Sequence, residues 1–264
     1  HWNVCSRCGA KGDLVAHTFG SDGKCTVCGY SKADAHVHTS HLTRVPAKAA
    51  TCTEDGYSGD VYCTVCGALV SAGEVIPAHC ASKSFTDVDT NQWYHTYVDY
   101  VVDHGIMNGM GGGRFAPNGN VTRAQLVTTL YRMAGSPQVE EMSTFADVHA
   151  NRWYSAAVAW AQDVGIAVGV TETAFQPNGF TTREQAATFL YRYVTEYLKQ
   201  EPTQGVDLSA YQDAASISPY AEEALAWATA EGILEGFGDD TLKPKDVLSR
   251  AQLAKLMTVM DQNF

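Results

Sequence analysis

The 264-residue chain carries 18 Lys and Arg against 29 Asp and Glu, a net charge of −11, and 45% of its residues are hydrophobic. That length allows two or three domains with a real core. The acidic balance argues against nucleic acid and anionic membrane surfaces as partners, and no run reaches the roughly 18 apolar residues of a membrane span, so no membrane insertion is expected. The chain starts at His1 without Met or a basic-plus-apolar leader, which reads as a processed start with any upstream module out of view.

Cysteine and charge divide the chain at one place. All eight cysteines fall within the first 80 residues. Before Phe85 there are seven basic and seven acidic side chains, so the whole net charge lies beyond it. The organisation expected is a zinc-ribbon-like module over 1–35, a second Cys-rich module over 36–84, and three repeats over 85–264.

In the first module, Cys5-x2-Cys8-Gly9 and Cys25-x2-Cys28-Gly29 have the spacing of two zinc knuckles, which supply four thiolates to one tetrahedral ion. So few apolar residues could not fold on their own core, and metal would contribute most of the stability. Four Cys ligands leave no open position for water, so structural zinc is the expected cofactor and catalytic zinc is not. An exported chain also admits disulfides at these positions.

The second module offers Cys52, Cys63-x2-Cys66 and Cys80, with His36, His38, His41 and His79 nearby. Cys52, Cys63 and Cys66 could hold a second zinc with His79, His41 or Cys80 as the fourth ligand, His79 being preferred. A Cys52–Cys80 disulfide is the chief rival. Alternation over Gly59–Val65 and Ala68–Ile76 predicts a short hairpin. The run from Ala50-Thr-Cys-Thr-Glu-Asp-Gly56 through Cys63-Thr-Val-Cys-Gly67 to Val75-Ile-Pro-Ala78 resembles small cysteine-containing modules of gut Firmicutes surface proteins.

Beyond Phe85 the chain repeats itself. Phe85-Thr-Asp-Val recurs as Phe145-Ala-Asp-Val and, more loosely, Tyr211-Gln-Asp-Ala. Trp93-Tyr94 recurs as Trp153-Tyr154, with Pro219-Tyr220 in the third copy; Gly105-Ile106 recurs as Gly165-Ile166 and Gly232-Ile233. Phe115-Ala-Pro117 returns as Phe175-Gln-Pro177 and Leu242-Lys-Pro244, and Thr122-Arg123 as Thr182-Arg183 and Ser249-Arg250. The first offset is 60 throughout; the second is 66, then 67 from the Gly-Ile onward. The copies span 85–135, 145–194 and 211–260.

Each copy reads as two helices joined by a Gly-rich turn, which makes the chain mainly α with small β- and loop-rich front modules. The first helix, Trp93 to His104 in copy one, sets Tyr97, Val98, Val101 and Val102 on one face. It stops at Gly105, Gly165 or Gly232. The second starts on a capping box, Thr122-x-x-Gln125, Thr182-x-x-Gln185 or Ser249-x-x-Gln252. Behind it lie core stripes such as Leu126, Leu130 and Met133.

Arg123, Arg183 and Arg250 stand directly after these caps, where a cation is mildly disfavoured by the helix dipole. Their recurrence calls for a partner. One is an inter-repeat salt bridge to Asp87, Asp147 or Asp213. The other is an anion held jointly by the guanidinium and the N-terminal N–H groups.

Together, F-x-D-V, W-Y, G-I-x-x-G, F-x-P and T-R-A resemble the S-layer homology domain, whose hallmark is Thr-Arg-Ala-Glu. The resemblance implies a pseudo-threefold helical prism binding a secondary cell-wall polymer, often pyruvylated, in grooves between repeats. Carried over residue by residue, it makes Arg123, Arg183 and Arg250 anion contacts, gives backbone N–H groups from loops around Gly109, Gly169 and Gly236, and offers Trp93, Tyr94, Trp153, Tyr154 and Tyr220 as groove walls, with simple inter-repeat packing as the rival for the aromatics. Gln125, Gln185 and Gln252 replace the family's Glu. Glu172 in the second loop and Pro219 in the third copy are further departures, so a groove using the arginine and loop of copy one is favoured.

No nucleophile–base pair, phosphate loop or paired-carboxylate motif is found; the glycine run 109–113 lacks the following Gly-Lys-Ser/Thr of a phosphate loop. The expected function is non-catalytic anchoring to a cell-wall polysaccharide at the outer surface, with surface-protein partners. The alternative is an assembly module of a surface lattice with no glycan ligand.

Overall fold

The computed structural model describes residues 42–264 except 53 and 65–67, and before them residues 2–4, 11–14, 18, 20, 21, 26 and 27. Cys5, Cys8, Cys25, Cys28 and Cys66 lie outside the described residues, as do His36, His38 and His41. The chain divides into two units, His1–His79 and Cys80–Phe264.

The first unit is built of short antiparallel strands. β1 (Trp2–Val4) pairs with β2 (Lys11–Leu14). β3 (Leu42–Arg44), β5 (Val61–Cys63) and β6 (Leu69–Ser71) form one sheet in the order β3-β5-β6, and β4 (Gly56–Tyr57) pairs with β7 (Val75–Ile76). The expected hairpin is therefore present as β5–β6. Of the described residues of 42–79, only Gly56 and Cys63 are buried, so a polar hub takes the place of an apolar core. The Asp60 carboxylate accepts from the Tyr57 hydroxyl at 2.5 Å, the Tyr62 hydroxyl at 2.9 Å and the Gly73 amide at 2.8 Å. The Gly73 amide and then the two phenols hold its carboxyl below the ordinary value.

Cys52 and Cys80 are each disulfide-bonded. This corrects the expected second zinc set of Cys52, Cys63, Cys66 and His79, because a disulfide sulfur is not a thiolate ligand.

The second unit is mainly helical. A 3-10 turn, Ala81–Ser84, precedes α1 (His95–Asp103) and α2 (Arg123–Met133) of copy one. Copy two gives α3 (Ser155–Asp163) and α4 (Arg183–Arg192), and copy three gives α5 (Glu222–Ala230) and α6 (Arg250–Asn263). The first helix of each copy ends where Gly105, Gly165 and Gly232 adopt φ of +67°, +80° and +66°, a left-handed turn that glycine enters without a Cβ clash. All three second helices carry the full capping box. Among the described residues no helix is long and apolar enough to cross a membrane.

The second helix of each copy packs on the first helix of the next: α2 on α3, α4 on α5, and α6 back on α1. Beside these packed pairs, three buried residues join backbones in a closed ring. The Val121 amide donates to Leu248, Leu248 to Thr181, and Thr181 to Val121, each at 2.9 Å. Side chains at these positions are fully buried, and the Thr181 hydroxyl has no hydrogen-bond partner. Copies one and three place Val121 and Leu248 there instead.

A buried hydroxyl without a partner costs about 1–3 kcal/mol. Thr181→Val should therefore raise the unfolding free energy of the second unit by about 1 kcal/mol or more, read by denaturant titration of the helical signal.

Inter-repeat grooves as the candidate functional site

Each F-x-D-V aspartate organises its own copy's turn. Asp87 accepts from the amides of Phe115 (2.8 Å) and Ala116 (2.9 Å), Asp147 from Phe175 (2.9 Å) and Gln176 (2.7 Å), and Asp213 from Leu242 (2.9 Å) and Lys243 (2.7 Å). These paired bonds hold the middle residue of F-x-P, namely Ala116, Gln176 and Lys243, at φ of +58°, +57° and +50°. Such a conformation costs a non-glycine residue about 1 kcal/mol or more, and two charge-assisted bonds at each turn offset it. The glycine of G-I-x-x-G lies under the aromatic of F-x-D-V. A Cβ on Gly109, Gly169 or Gly236 would meet Phe85, Phe145 or Tyr211 at 2.5, 2.7 and 2.7 Å.

The three helix-start arginines are buried and each crosses to the next copy. Arg123 donates from Nε to the Phe175 carbonyl (2.7 Å) and from Nη2 to Val168 (3.2 Å). Arg183 reaches Leu242 and Glu235 carbonyls, both at 2.8 Å, and Arg250 reaches Phe115 (2.7 Å) and Asn108 (2.8 Å). The guanidiniums also lie over Phe175, Phe237 and Phe115, at 4.7, 4.8 and 4.5 Å from the ring centroids. Burial pulls all three down in pKa, Arg250 to about 10.

The first two helical amides follow the same route. Arg123 and Ala124 donate to Gly179 and Pro177, Arg183 and Glu184 to Asp246 and Pro244, and Arg250 and Ala251 to Gly119 and Pro117, at 2.8–3.0 Å. The expected salt bridge from these arginines to Asp87, Asp147 or Asp213 is therefore not the pairing found. Asp87, Asp147 and Asp213 are occupied by turn amides, and the helix-start amides are spent on carbonyls rather than open to an anion.

Three grooves of like make-up lie between the copies, each beside a glycine loop. Groove one, about 410 Å³, takes Asn108, Gly109 and Met110 from the copy-one loop, Gln125 and Arg132 from α2, Trp153 from copy two and Arg250 from copy three. Groove two, about 390 Å³, takes Gly169 and its neighbours, Gln185 and Arg192 from α4, Tyr220 from copy three and Arg123 from copy one. Groove three, about 260 Å³, takes Gly236 and its neighbours, Gln252 and Lys255 from α6, Trp93 from copy one and Arg183 from copy two. Every groove thus needs all three copies.

Several sequence expectations change on this geometry. The arginine and loop of copy one do not share a groove, because Arg123 faces the loop of copy two. Tyr94 and Tyr154 are core residues, 8% and 6% exposed, whereas Trp93, Trp153 and Tyr220 are more than half exposed and line grooves. Glu172 lines none of the three grooves.

Arg132 and Arg192 were missed, although they recur at the same 60-residue offset as Arg123 and Arg183. Each is near enough to the buried arginine of its groove to oppose that arginine's charge, adding to the larger effect of burial. Groove three differs. Val259 stands in place of the second arginine, and its Lys255 is tied to Glu235 on the loop at 2.5 Å. Grooves one and two therefore carry a pair of arginines, while groove three has a neutralised lysine.

The match to known proteins follows these same segments. The S-layer homology domain model matches residues 84–127, 144–187 and 210–254. The chain belongs to the S-layer homology domain family. It is therefore a cell-surface anchoring or S-layer type of module. It is 31% identical over 176 residues to an endoglucanase of Bacillus sp. (strain KSM-635), covering 67% of this chain and 18% of that protein. It is 28% identical over 202 residues to an S-layer protein of Bacillus thuringiensis subsp. finitimus, covering 76% of this chain and 24% of that protein. The chain thus spans a quarter or less of these relatives. Among solved structures, the undecaheme cytochrome from the S-layer of Carboxydothermus ferrireducens aligns with 63% of this chain and 24% of its own, at 19% identity and a TM-score of 0.29, too loosely to carry an argument.

The second S-layer homology repeat has an acid found in neither of the others, Glu184, where copies one and three have Ala124 and Ala251. It accepts from the Ser218 amide (3.1 Å) and hydroxyl (3.0 Å), the Tyr220 hydroxyl (3.1 Å) and the Lys245 ammonium (2.7 Å). Burial pushes its carboxyl up, but these four donors outweigh it and hold the pKa below the ordinary 4.5. The network fixes Tyr220 in the wall of groove two.

Two outcomes follow from these contacts. Arg250→Ala should cost about 3 kcal/mol of stability without any ligand present, since it strips buried carbonyls of a charged donor; denaturant midpoints would show it. For Glu184 the folded pKa is depressed, so its contribution is present above the unfolded value and is lost as pH falls through the folded one. Glu184→Gln should lower the melting temperature at neutral pH and flatten the loss of stability on acidification below about pH 4.5, measured by thermal melts across pH.

Proposed function

We propose that the three repeats form a pseudo-threefold helical prism that anchors its parent protein to the bacterial cell wall without catalysing a reaction. Its ligand in this reading is an anionic secondary cell-wall polymer, such as one bearing pyruvylated amino sugars. The observation that carries the reading is the recurrence, at three inter-repeat grooves, of one set of parts: a glycine loop, an exposed aromatic, and a buried arginine from a third copy. Guanidinium recognises a carboxylate with geometric specificity, and an exposed indole or phenol face offers a sugar ring an apolar wall.

Arg123, Arg183 and Arg250 spend Nε and Nη2 on carbonyls, and Nη1 takes no partner among the described residues. The second arginine then decides where an anion is held best. Grooves one and two, with Arg132 and Arg192, are the competent ones in this reading, and groove three is weak. A chain of net charge −11 repels an anionic polymer at long range, so attraction must come from these local pairs and should weaken with salt. In the first unit, Cys5, Cys8, Cys25 and Cys28 would hold a structural zinc.

The test is co-sedimentation with whole wall and with wall stripped of its secondary polymer. Binding should require the polymer, and Arg132→Gln or Arg192→Gln should each weaken it about tenfold at its groove. Lys255→Gln should have little effect. Equal binding to stripped wall would overturn the polymer reading. Substitutions at Arg123, Arg183 or Arg250 would confound the experiment, because those residues also hold the repeats together.

A further inference from the structure

Cys80, Ser82, His95 and Asp99 converge at the start of the second unit, and none of them lines a groove. Asp99 lies one turn beyond His95 on α1, and its Oδ1 accepts from the Ser82 amide at 2.7 Å. Its Oδ2 lies 2.9 Å from His95 Nε2. The Cys80 sulfur stands 3.5 Å from that same nitrogen and 3.8 Å from the same carboxylate oxygen. His95 is 9% exposed, and Cys80 and Asp99 are half-buried.

Three Lewis-basic atoms thus face one another, and one imidazole nitrogen addresses both of the others. A single N–H cannot satisfy sulfur and carboxylate together with good geometry. A cation between them can. Zinc bonds of about 2.3 Å to sulfur and about 2.0–2.1 Å to nitrogen and oxygen place tetrahedral ligand atoms roughly 3.3–3.6 Å apart. The observed separations of 2.9, 3.5 and 3.8 Å bracket that range. The Ser82 amide holds the carboxylate from behind, as an outer partner orients a metal ligand.

We propose that reducing the disulfide at Cys80 converts this cluster into a zinc site ligated by the Cys80 thiolate, His95 Nε2 and an Asp99 oxygen. A dithiol reductant supplies two electrons and two protons, the S–S bond breaks, and two thiols result while the dithiol becomes its own disulfide. Cys80 then releases its proton to solvent as zinc binds. The remaining tetrahedral position is left to water or a second thiolate. Thiolate, imidazole and carboxylate together favour zinc over the hard cations calcium and magnesium. Disulfide and zinc are alternative uses of one sulfur, so metal occupancy here reports the redox state. This inference is independent of the wall-binding reading.

The full chain would be reduced with dithiothreitol, freed of it anaerobically, and titrated with Zn2+, with Co2+ as a spectroscopic substitute. Any zinc in the first unit contributes equally to the arms of one redox state and cancels in their differences. Reduced wild type should bind one more equivalent than reduced Cys80→Ser, His95→Ala or His95→Gln, and oxidised wild type should bind no more than oxidised His95→Ala or His95→Gln. Asp99→Asn should bind that equivalent at least about tenfold more weakly. The helical signal of the repeats, unchanged in one of the two His95 variants, separates ligand loss from misfolding. Equal metal content in reduced wild type and that folded His95 variant would overturn the proposal. So would an extra equivalent that persists in the oxidised chain.

Discussion

Each second helix begins by giving its donors to a neighbour. At the N-terminus an α-helix has four amides without intrahelical partners, and here two of them, with the guanidinium of the first residue, close on carbonyls of the next copy's turn. The capping box takes further donors within the copy. The arginine is disfavoured by its own helix dipole, but the carbonyls it meets are buried and would be costly to leave unpaired. A locally unfavourable residue therefore becomes the bond that makes one repeat depend on the next. The third copy closes on the first through Arg250, so no repeat is left with an unfilled end. The backbone ring of Val121, Thr181 and Leu248 completes the same closure.

The turns that receive these donors are themselves strained. Ala116, Gln176 and Lys243 hold left-handed backbone ahead of a proline, and the preceding aspartate fixes each one by bonding its amide. The same peptide is thus gripped twice, by an aspartate of its own copy through N–H groups and by an arginine of the previous copy through a carbonyl. That arrangement couples the shape of each loop to assembly. A groove wall is rigid only when all three copies are in place, which suits a site that must hold a ligand without rearranging.

Local features were legible in the sequence because local chemistry determines them. The capping boxes at Thr122, Thr182 and Ser249 and the helix-ending glycines follow from spacing alone. The partner of the arginine was not legible. A motif repeated every 60 residues looks the same whether its parts meet within one copy or across two, and only the packed helices distinguish them. The aromatics failed for a related reason. Adjacent residues entering a helix point apart, so Trp93 faces out while Tyr94 is buried, and the pair reads as one unit in sequence. In copy three, where Pro219 replaces the tryptophan, Tyr220 takes the outward place, held by Glu184 and Lys245. Those two residues stand where the other copies have an alanine and an asparagine, so this interface differs from the others on both sides.

A closed set of near-identical joints also explains how the grooves can differ without loss of the fold. The residues that join the repeats, Arg123, Arg183 and Arg250 with their aspartate-held turns, are the same in kind three times. The residues that vary, Arg132 and Arg192, or Asn108, Val168 and Glu235, line grooves, while only their backbones, where used at all, take part in the joints; Val259, at the position of those arginines in copy three, packs against the core. Arg183 bonds the carbonyl of Glu235 just as Arg250 bonds that of Asn108, whatever the side chain carries. Charge can therefore be rewritten groove by groove at little structural cost. A polymer offers many copies of one anionic group along its length. In the wall-binding proposal, two strong grooves on a rigid scaffold would then gain avidity from simultaneous engagement, and a third groove with one arginine and a paired lysine would subtract little from it.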